Sequence, residues 1–379
     1  MFDGFKYIIV GSGFTGAVLA ERIAEVLAEP VLVLERRDHH GGNAYSSIDP
    51  DTGIECHRYG SHIFHTRHRE VWDYVRWFGE FSGYRHHVLT EHQGQVFSMP
   101  ISLDTINRFY KINLKPHEAQ QFIRAEAEAA GIVEPRNLEE KAVSLIGRPL
   151  YEAFIRDYTR KQWNREPREL PADIITRLPV RSSYNTEYFS DPWQGIPLDG
   201  YGTLLGRILD HPRVALRLRT DVDAAMLAGT RARVFHTGMI DRHFDYRLGE
   251  LAWRSLRFDC ETVDVPDFQG VSVMNYADAD VPFTRIHEFK HYHPEREAVF
   301  ASPRTVICRE YPQDFARGLE PYYPVNDAAN QALLAQYQAL AEGSGVRFCG
   351  RLGGYVYADM DAAVRLALEL FDKEFRQLG

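Results

Sequence analysis

The sequence of 379 residues is poor in cysteine and lacks long apolar runs. Its cysteines are Cys56, Cys260, Cys308 and Cys349, which are far apart and show no paired spacing. That scarcity argues against a disulfide framework or a zinc site, so we expect reduced thiols and no metal. No stretch is apolar enough to span a bilayer, and the first residues lack the pattern of a cleavable leader. We therefore expect a cytoplasmic protein without membrane insertion.

An excess of positive charge is missing as well, because 53 acidic residues outnumber 44 basic ones and the formal net charge is −9 at pH 7. Nucleic-acid binding usually depends on an excess of basic residues, so we do not expect a nucleic-acid partner. Lysine is much rarer than arginine: it supplies 7 of the 44 basic residues, and arginine supplies the other 37. Close arginine pairs such as Arg177 and Arg181 can therefore arise by chance. The 44% hydrophobic content and the length predict a globular protein of two or three lobes.

The order of elements predicts an α/β fold. The start of the chain has a βαβ pattern, with KYIIVGSG and PVLVLERR as buried strands around the helix FTGAVLAERIAEVLAE. Such a unit opens a doubly wound parallel sheet. Residues 69–160 are mostly helical in pattern, interrupted by a hairpin with Gly94 in its turn. Residues 255–310 are rich in β-forming residues and predict antiparallel strands.

The segment GSGFTG places Gly11, Gly13 and Gly16 in a G-x-G-x-x-G spacing between the first strand and the first helix. The first glycine allows a tight turn, the second allows close approach of a pyrophosphate, and the third allows helix and strand to pack. Free N–H groups at the helix N-terminus attract the same anion. Glu35 ends the second strand, where a carboxylate accepts hydrogen bonds from a ribose. This pattern predicts a dinucleotide-binding site.

Further stretches bear on the identity of the dinucleotide. The carboxylate disfavours a 2′-phosphate, but Arg36 and Arg37 beside it leave NADP open. The pair Gly41 and Gly42 lets backbone pass close to an extended dinucleotide, as in flavin enzymes, although a simple glycine turn explains it equally well. Near the end, GRLGGYVYADMD leads into a helix that starts near residues 359–361. The N-terminus of that helix would stabilise negative charge on a reduced flavin.

Several longer motifs resemble those of the bacterial UDP-galactopyranose mutase family, in that family's order and over nearly the whole chain. They include GSHIFHT, LYEAFIRDYTRKQW, ELPADIITRLPVR, YFSDPWQGIPLDGY, VMNYADADVPFTRI and GRLGGYVYADMD. The resemblance implies a redox-neutral isomerase that interconverts UDP-galactopyranose and UDP-galactofuranose, supplying galactofuranose for cell-surface glycans. In that reaction N5 of reduced FAD attacks the anomeric carbon and UDP leaves. NAD(P)H or another reductant first reduces the flavin.

The same resemblance implies which residues act on the substrate. Catalysis would depend on Arg177, Arg285 and His65. Nucleotide-sugar binding would involve Phe154, Tyr158, Trp163, Arg177, Tyr188, Asn275, Arg285, Tyr323 and Tyr357. A planar guanidinium holds two diphosphate oxygens and keeps its charge, and tyrosine hydroxyls add donors without charge. Such groups lower the barrier by stabilising the negative charge of the departing UDP.

Cofactor binding is implied for a larger set of residues. These are Gly11, Gly13, Phe14, Thr15, Gly16, Glu35, Arg36, Gly42, Asn43, His62, Thr237, Gly238, Arg351, Tyr357, Asp359 and Met360. We also expect a homo-oligomer whose small-molecule partners are the two UDP-sugars. No role is assigned to Arg181, His86 or His87.

The resemblance and the element pattern together predict three domains: a Rossmann-type FAD-binding domain, an inserted helical bundle and an antiparallel β-sheet domain. The FAD-binding domain comprises residues 1–68, 195–250 and 325–379. The helical substrate domain comprises residues 69–84 and 100–180, with a mobile loop at about 168–184. The sheet domain comprises residues 85–99, 181–194 and 251–324. Two alternative functions stay open: an FAD-dependent oxidoreductase of the amine-oxidase type, which needs no diphosphate clamp, and a flavin- or nucleotide-binding regulator without turnover.

Overall fold

Two large β-sheets form the framework of the fold. The structure is a computed structural model, and it describes Phe2, residues 4–175 and residues 180–375. The described strands are β1 (Tyr7–Val10), β2 (Val31–Leu34), β3 (Ser46–Ile48), β4 (Glu55–His57), β5 (Phe64–Thr66), β6 (Val88–His92), β7 (Gln95–Met99), β8 (Trp193–Gly195), β9 (Val214–Arg217), β10 (Arg233–His236), β11 (Trp253–Val263), β12 (Val273–Tyr276), β13 (Arg285–Glu288), β14 (Thr305–Asp314), β15 (Tyr323–Pro324) and β16 (Val346–Phe348). β3 pairs with β4 and β5 pairs with β8 in two small ribbons.

The described helices are α1 (Phe14–Val26), α2 (Arg69–Phe78), α3 (Leu103–Tyr110), α4 (Pro116–Glu128), α5 (Leu138–Tyr151), α6 (Asp157–Trp163), α7 (Gly200–Leu209), α8 (Ala224–Leu227), α9 (Ile240–His243), α10 (Glu297–Phe300), α11 (Ala328–Glu342), α12 (Gly350–Gly353) and α13 (Met360–Phe375). A π-helical turn, Glu152–Arg156, joins α5 to α6. In the part of the chain that the structure describes, no helix combines the length and the apolar character needed to cross a lipid bilayer.

The first sheet is parallel, with the order β16-β10-β1-β2-β9. In the centre, Ile8 of β1 is in register with Leu32 of β2 and Val234 of β10. All four residues of β2 are buried, as expected for a parallel strand covered on both faces. The carboxyl ends of β1, β2 and β10 lie at one edge, where ligands bind to sheets of this type. The predicted doubly wound α/β fold is confirmed.

The second sheet has the order β15-β11-β14-β13-β12-β6-β7. Its pairings are antiparallel except that of β12 with β6, which is parallel. β6 and β7 form the predicted hairpin, and Gln93 and Gly94 in its turn have φ angles of 50° and 69°. Asparagine and glycine are the usual residues at such angles, and here glutamine takes the first of the two. The antiparallel strands predicted from β-forming residues are confirmed.

The elements fall into three regions of the chain. The parallel sheet takes all its strands from residues 1–68, 195–250 and 325–379. Helices α3 to α6 lie within residues 100–180, and α4 packs along α5. The seven-stranded sheet lies within residues 85–99 and 251–324. The chain therefore returns twice to the parallel sheet.

The expectation of four reduced thiols is wrong at one pair. Cys260 on β11 and Cys308 on β14 are direct cross-strand neighbours with Cα atoms 4.0 Å apart, and their sulfurs form a disulfide. They are 48 residues apart, so only the register of the two strands brings them together. Cys56 and Cys349 are free thiols, and burial raises the pKa of each to about 12.

Candidate active site

One large cavity extends from the edge of the parallel sheet to the second sheet and α6, with a volume of about 1910 Å³. Pockets for a single small ligand usually measure roughly 300–1,000 Å³, so this cavity has room for a dinucleotide and a substrate together. Every predicted site residue that the structure describes lines it. Arg177, predicted to be catalytic, lies outside the described residues.

The turn after β1 requires its glycines. Gly11 has a φ angle of 99°, and a Cβ added there would lie 2.0 Å from Oγ1 of Thr237. A Cβ added at Gly16 would lie 2.0 Å from the carbonyl oxygen of Gly11. A side chain at either position would therefore force the loop away from its neighbours. Because α1 starts directly after Gly13, its first N–H groups have no helical partners and can bind an anion.

The second glycine pair lies against this turn. Gly41 donates its N–H to the carbonyl oxygen of Ser12 at 3.0 Å. A Cβ added at Gly42 would approach Cα of Gly13 to 2.9 Å. The two backbones are thus in contact, and the groove beside them carries no side chain from these glycines. The contact favours a dinucleotide-binding role for Gly41 and Gly42 over a simple glycine turn.

Glu35 is buried at the end of β2 and fixed by the glycine loop. It accepts hydrogen bonds from the N–H and Oγ of Ser12 at 3.0 and 2.8 Å, and from the N–H of Arg37 at 3.0 Å. Arg36 donates to Glu320 at the surface. The Nη1 atom of Arg37, by contrast, is buried and has no hydrogen-bond partner among the described residues. Arg37, which the sequence interpretation left out of the site, therefore offers a free donor to a ligand.

The N-terminus of a second helix lies beside that of α1. α13 starts at Met360, and Oγ1 of Thr15 on α1 donates to the carbonyl oxygen of Ala363 at 3.4 Å. Both helix starts therefore contribute positive partial charge to the same end of the cavity. Arg351 donates from Nη1 to the carbonyl oxygens of Tyr322 and Pro321, and burial lowers its pKa. Its guanidinium thus holds the backbone just before β15 at the cavity wall.

The described residues at this end fit a dinucleotide of the FAD type. Thr237 donates from Oγ1 to the carbonyl oxygen of Val10 at 2.8 Å, and Arg37 donates from Nη2 to Oδ1 of Asn43 at 2.7 Å. These bonds close the walls of a groove that has two helix starts, a carboxylate for a ribose and an unpaired guanidinium nitrogen. Gly238 and Asp359 also line the cavity.

The two predicted histidines differ in their surroundings. His62 is bonded through Nδ1 to the carbonyl oxygen of Gly60 at 2.7 Å, and burial lowers its pKa to about 4. It is therefore neutral at pH 7 and donates from Nδ1. His65 on β5 is bonded through Nδ1 to Oδ2 of Asp191 at 2.7 Å, and its ring stacks on Phe189 at 3.6 Å. The carboxylate fixes the ring, so Nε2 is the nitrogen available to a ligand.

Arg285, the first residue of β13, is held between a hydroxyl and a carboxylate. Its Nε donates to the hydroxyl of Tyr158 on α6 at 3.2 Å, and its Nη2 donates to the same oxygen. Nε lies 3.5 Å from Oε1 of Glu310. Burial lowers the pKa of Arg285, but the Glu310 carboxylate and Tyr158 more than compensate, so this pKa is well above its ordinary value. A permanent positive charge is therefore fixed at the cavity wall.

The sequence interpretation missed the carboxylate behind Arg285. Oε2 of Glu310 lies 3.0 Å from Nε2 of His287, whose Nδ1 is bonded to Ser61. Burial raises the pKa of Glu310, but the positive charge of Arg285 and the hydrogen bond of His287 lower it by more. The pKa is therefore below its ordinary value. The sequence carried no signal for this pair, because the burial of Glu310 on β14, two residues after Cys308, is known only from the structure. A glutamate at such a position needs a charged partner.

Phe154 lies in the π-helical turn between α5 and α6. Gly147 has a φ angle of 77° and interrupts α5 before that turn. The Phe154 ring lies 5.1 Å from that of Phe97 and 5.5 Å from that of Phe109, and the residue is only 2% exposed. Phe154 is thus largely a core residue with one edge at the cavity, whereas Tyr158 faces Arg285.

The remaining predicted substrate residues surround Arg285. Asn275 on β12 is its cross-strand neighbour, and Oδ1 of Asn275 is buried without a hydrogen-bond partner among the described residues. A buried acceptor without a partner is rare in proteins and indicates a ligand or a water. The rings of Tyr323 and Tyr357 are nearly parallel, with centroids 6.0 Å apart. Trp163 ends α6 and also lines the cavity.

Two residues to which the sequence assigned no role hold the segment after residues 176–179: Arg181 through its side chain and His86 through its backbone carbonyl. Arg181 donates from Nη1 to the carbonyl oxygen of Asn185 at 3.3 Å and from Nη2 to Oγ of Ser190 at 3.0 Å. The carbonyl oxygen of His86 accepts the N–H of Tyr188 at 2.6 Å, and burial lowers the pKa of His86 to about 3. Arg181 and His86 therefore fix the backbone that carries Tyr188.

Among the described residues, one cluster of possible metal ligands lies away from the cavity. Asp267, Glu288 and His291 bring one ligand atom each within 4.8 Å of one another. Glu288 already accepts hydrogen bonds from the backbone N–H groups of Phe268 and Gln269, at 3.0 and 2.9 Å. These bonds explain the arrangement without an ion.

Comparison with known proteins gives two family matches. Residues 153–357 match the model of the UDP-galactopyranose mutase family, and residues 9–78 match that of an NAD(P)-binding Rossmann-like domain. The chain is 42% identical to a probable UDP-galactopyranose mutase of Klebsiella pneumoniae, covering 97% of this chain and 94% of the relative. It is 38% identical to a dTDP-fucopyranose mutase of Escherichia coli, covering 96% and 97%.

A solved structure shares the fold. The crystal structure of a reduced UDP-galactopyranose mutase superposes with a TM-score of 0.76, covering 98% of this chain and 96% of that one. The sequence identity in that superposition is 15%, so this likeness concerns the fold alone.

Proposed function

The chain belongs to the UDP-galactopyranose mutase family, and on this basis we propose that it interconverts UDP-galactopyranose and UDP-galactofuranose with a bound, reduced FAD. The observation that carries the proposal is the continuity of one cavity from the glycine loop at Gly11 to the fixed charge of Arg285. A dinucleotide and a nucleotide sugar can therefore meet in a single site. An oxidoreductase of the amine-oxidase type would have no use for a guanidinium held at that position.

The proposed cofactor is FAD, held by the glycine loop, Glu35, Arg37 and the starts of α1 and α13. When reduced, this group would supply the nucleophile for the anomeric carbon and would be recovered unchanged at the end of the cycle. The two helix starts favour the negative charge of a pyrophosphate and of a reduced flavin. NAD(P)H or another reductant is the proposed source of the electrons.

The proposed role of Arg285 is to stabilise the diphosphate of the leaving UDP. Its charge is fixed before the reaction by Glu310 and Tyr158, so little reorganisation is needed when negative charge develops. Arg177 is proposed as the second member of this clamp, by resemblance alone. Tyr188, Tyr323 and Tyr357 would add hydroxyl donors, and Phe154, Tyr158, Trp163 and Asn275 would hold the base and sugar.

His65 is proposed to contact the sugar of the substrate and not its nucleobase. Its Nδ1 is engaged by Asp191, which leaves Nε2 to donate to or accept from a sugar hydroxyl. His62, neutral and bonded to Gly60, is proposed to contact the cofactor. Neither histidine needs a metal for these roles.

A second candidate substrate is dTDP-fucopyranose. The observation that favours it is the dTDP-fucopyranose mutase that is 38% identical over 96% of this chain, close to the value for the UDP-galactopyranose relative. Both reactions break the same anomeric bond and release a nucleoside diphosphate, so Arg285 serves both equally. The two substrates differ only in the base, the ribose 2′ position and the sugar substituents.

The deciding experiment is product analysis by chromatography, with purified flavoprotein and each nucleotide sugar, under dithionite and without it. A furanose product from UDP-galactopyranose only in the reduced state is expected. Faster conversion of dTDP-fucopyranose would transfer the proposal to that substrate. Hydrogen peroxide formed from an amine would indicate the oxidoreductase, and nucleotide binding without any product would indicate the regulator. We further propose a homo-oligomer in the cytoplasm that supplies furanose units for surface glycans.

A further inference from the structure

Lys161 on α6 is surrounded by backbone carbonyl groups of a single loop. Its Nζ donates to the carbonyl oxygens of Tyr276 and Asp278, each at 2.8 Å. It also lies 3.0 Å from the carbonyl oxygen of Val281 and 3.2 Å from that of Phe283. Three N–H bonds therefore serve four acceptors, and one side chain holds the loop of residues 276–283.

The residue type at this position is informative. The chain uses arginine for 37 of its 44 basic residues, yet lysine stands here. An ammonium group is a compact charge whose three donors point in different directions, whereas a guanidinium is a planar fork. An ammonium group can donate hydrogen bonds to four carbonyl oxygens that converge on one point, whereas a guanidinium cannot. Because lysine stands here in a sequence that otherwise prefers arginine, we infer that this position needs a group able to bind converging carbonyl oxygens.

The loop held by Lys161 connects two strands of the site. It follows Asn275 near the end of β12 and precedes Arg285 at the start of β13. On its other side, the Asp278 carboxylate accepts the N–H of Gln93 at 2.7 Å and is bonded to His92. The loop is thus fixed by the β6–β7 hairpin on one side and by α6 on the other.

Lys161 and Tyr158 are three residues apart and so lie on the same side of α6. The Tyr158 hydroxyl accepts the hydrogen bonds of Arg285, and the Lys161 ammonium donates to the carbonyl oxygens of the loop that leads to Arg285. Burial lowers the pKa of Lys161 to about 8, with Asp278, Asp157 and Asp280 acting in the opposite direction. The ammonium is thus mostly charged at pH 7, although its burial is unfavourable.

We propose that Lys161 is a positioning residue for the nucleotide-sugar site: its ammonium joins the 276–283 loop to α6 and so sets the relative positions of Tyr158, Asn275 and Arg285. The proposal rests on the proposed function in one respect: that function identifies the ligand of the site as a nucleotide sugar. The joining itself is a property of the described residues. Without the ammonium, four carbonyl oxygens lose their shared donor, and the loop moves away from α6.

The test compares Lys161→Met, Lys161→Arg and Lys161→Ala with a matched control, Lys290→Met. Lys290 also donates to two backbone carbonyls, those of Pro266 and Ser302 at 2.6 and 3.0 Å, but it does not line the cavity. The readouts are KM and kcat for UDP-galactopyranose, Kd for UDP, the melting temperature, and amide hydrogen exchange of residues 276–284. Each protein is assayed with its FAD bound and reduced.

For Lys161→Met we expect KM and the UDP Kd to rise about tenfold and kcat to fall as well, because a displaced Arg285 holds the diphosphate less well both in the bound substrate and as UDP leaves. Amide exchange in residues 276–284 should accelerate. Lys161→Arg should resemble Lys161→Met because the planar fork cannot converge on the four oxygens. In Lys161→Ala, n-propylammonium should restore KM, since it has the shape of the missing side chain beyond Cβ. Lys290→Met should lower the melting temperature and leave KM unchanged.

The proposal is overturned if Lys161→Met only lowers the melting temperature, as the control does, or if Lys161→Arg keeps the wild-type KM. Failure of the proposed function is a separate result. If the wild-type protein converts no sugar, the UDP Kd still reports the site. If it binds no UDP either, hydrogen exchange of residues 276–284 still decides whether Lys161 holds the loop. Unchanged exchange in Lys161→Met would then refute the inference.

Discussion

Replacing Glu310 by glutamine removes the charge that balances Arg285. The closest approach of the pair is 3.5 Å between Nε and Oε1, and the Glu310 side chain is 4% exposed. Two unit charges at this distance interact with about 5 kcal/mol at an effective dielectric constant of about 20. Loss of one partner of a buried pair commonly costs about 3–5 kcal/mol. Because the Arg285 side chain is 25% exposed, we expect the free energy of unfolding to fall by about 3 kcal/mol.

The pH dependence of that loss has a definite sign. The folded-state pKa of Glu310 is lower than its unfolded value. Its contribution to the free energy of unfolding is therefore fully present above the unfolded pKa, about 4.3. The contribution disappears as the pH falls through the folded pKa. The difference in unfolding free energy between wild type and Glu310→Gln should therefore be constant at neutral pH and shrink below about pH 4.3.

The assay is urea unfolding of the FAD-saturated proteins at several pH values, with and without UDP. The control is Glu261→Gln on the neighbouring strand β11, because Glu261 pairs with Arg309 at the surface and such pairs contribute about 0–1 kcal/mol. A diphosphate at Arg285 would replace the lost carboxylate, so UDP should stabilise Glu310→Gln more than wild type. A variant as stable as wild type, or a UDP effect smaller than in wild type, would refute the reasoning.

Other changes test the remaining parts of the site. Gly16→Ala should abolish FAD retention, measured by the ratio of flavin to protein absorbance, because its Cβ would lie 2.0 Å from the carbonyl oxygen of Gly11. Arg285→Ala and Arg177→Ala should keep their FAD but lose turnover, since removing such a charge costs roughly 2–5 kcal/mol; near-normal rates would contradict the clamp. Asp191→Asn should lower kcat with little change in the UDP Kd, and an equal change in both would argue against the proposed role of His65.

The nucleotide end of the site could be predicted because its signal is local. Gly11, Gly13 and Gly16 lie within six residues where β1 leads into α1, and Glu35 follows the next strand, so their spacing alone fixes where they meet. The βαβ pattern, the hairpin at Gly94 and the final helix are likewise short-range features, and the structure contains each of them. The identity of the family followed from longer motifs, whose order cannot arise from composition.

Contacts between strands were not accessible in this way. Three features depend on register or on side-chain direction: the ion pair of Glu310 with Arg285, the pairing of Cys260 with Cys308, and the unpaired nitrogen of Arg37. A shift of one residue would turn Glu310 away from the buried face of β14. The cysteine expectation failed for this reason, since linear spacing says nothing about partners 48 residues apart.

By itself, the sequence determined the dinucleotide loop, the fold class and the family, because these depend on spacing along the chain. Only the tertiary structure decided how the substrate end is held. Glu310 on β14 faces Arg285 on the adjacent strand β13, and Lys161 reaches carbonyls more than a hundred residues away on the loop of residues 276–283. The physical reason is that a buried charge is stable only with partners, and folding alone brings those partners together.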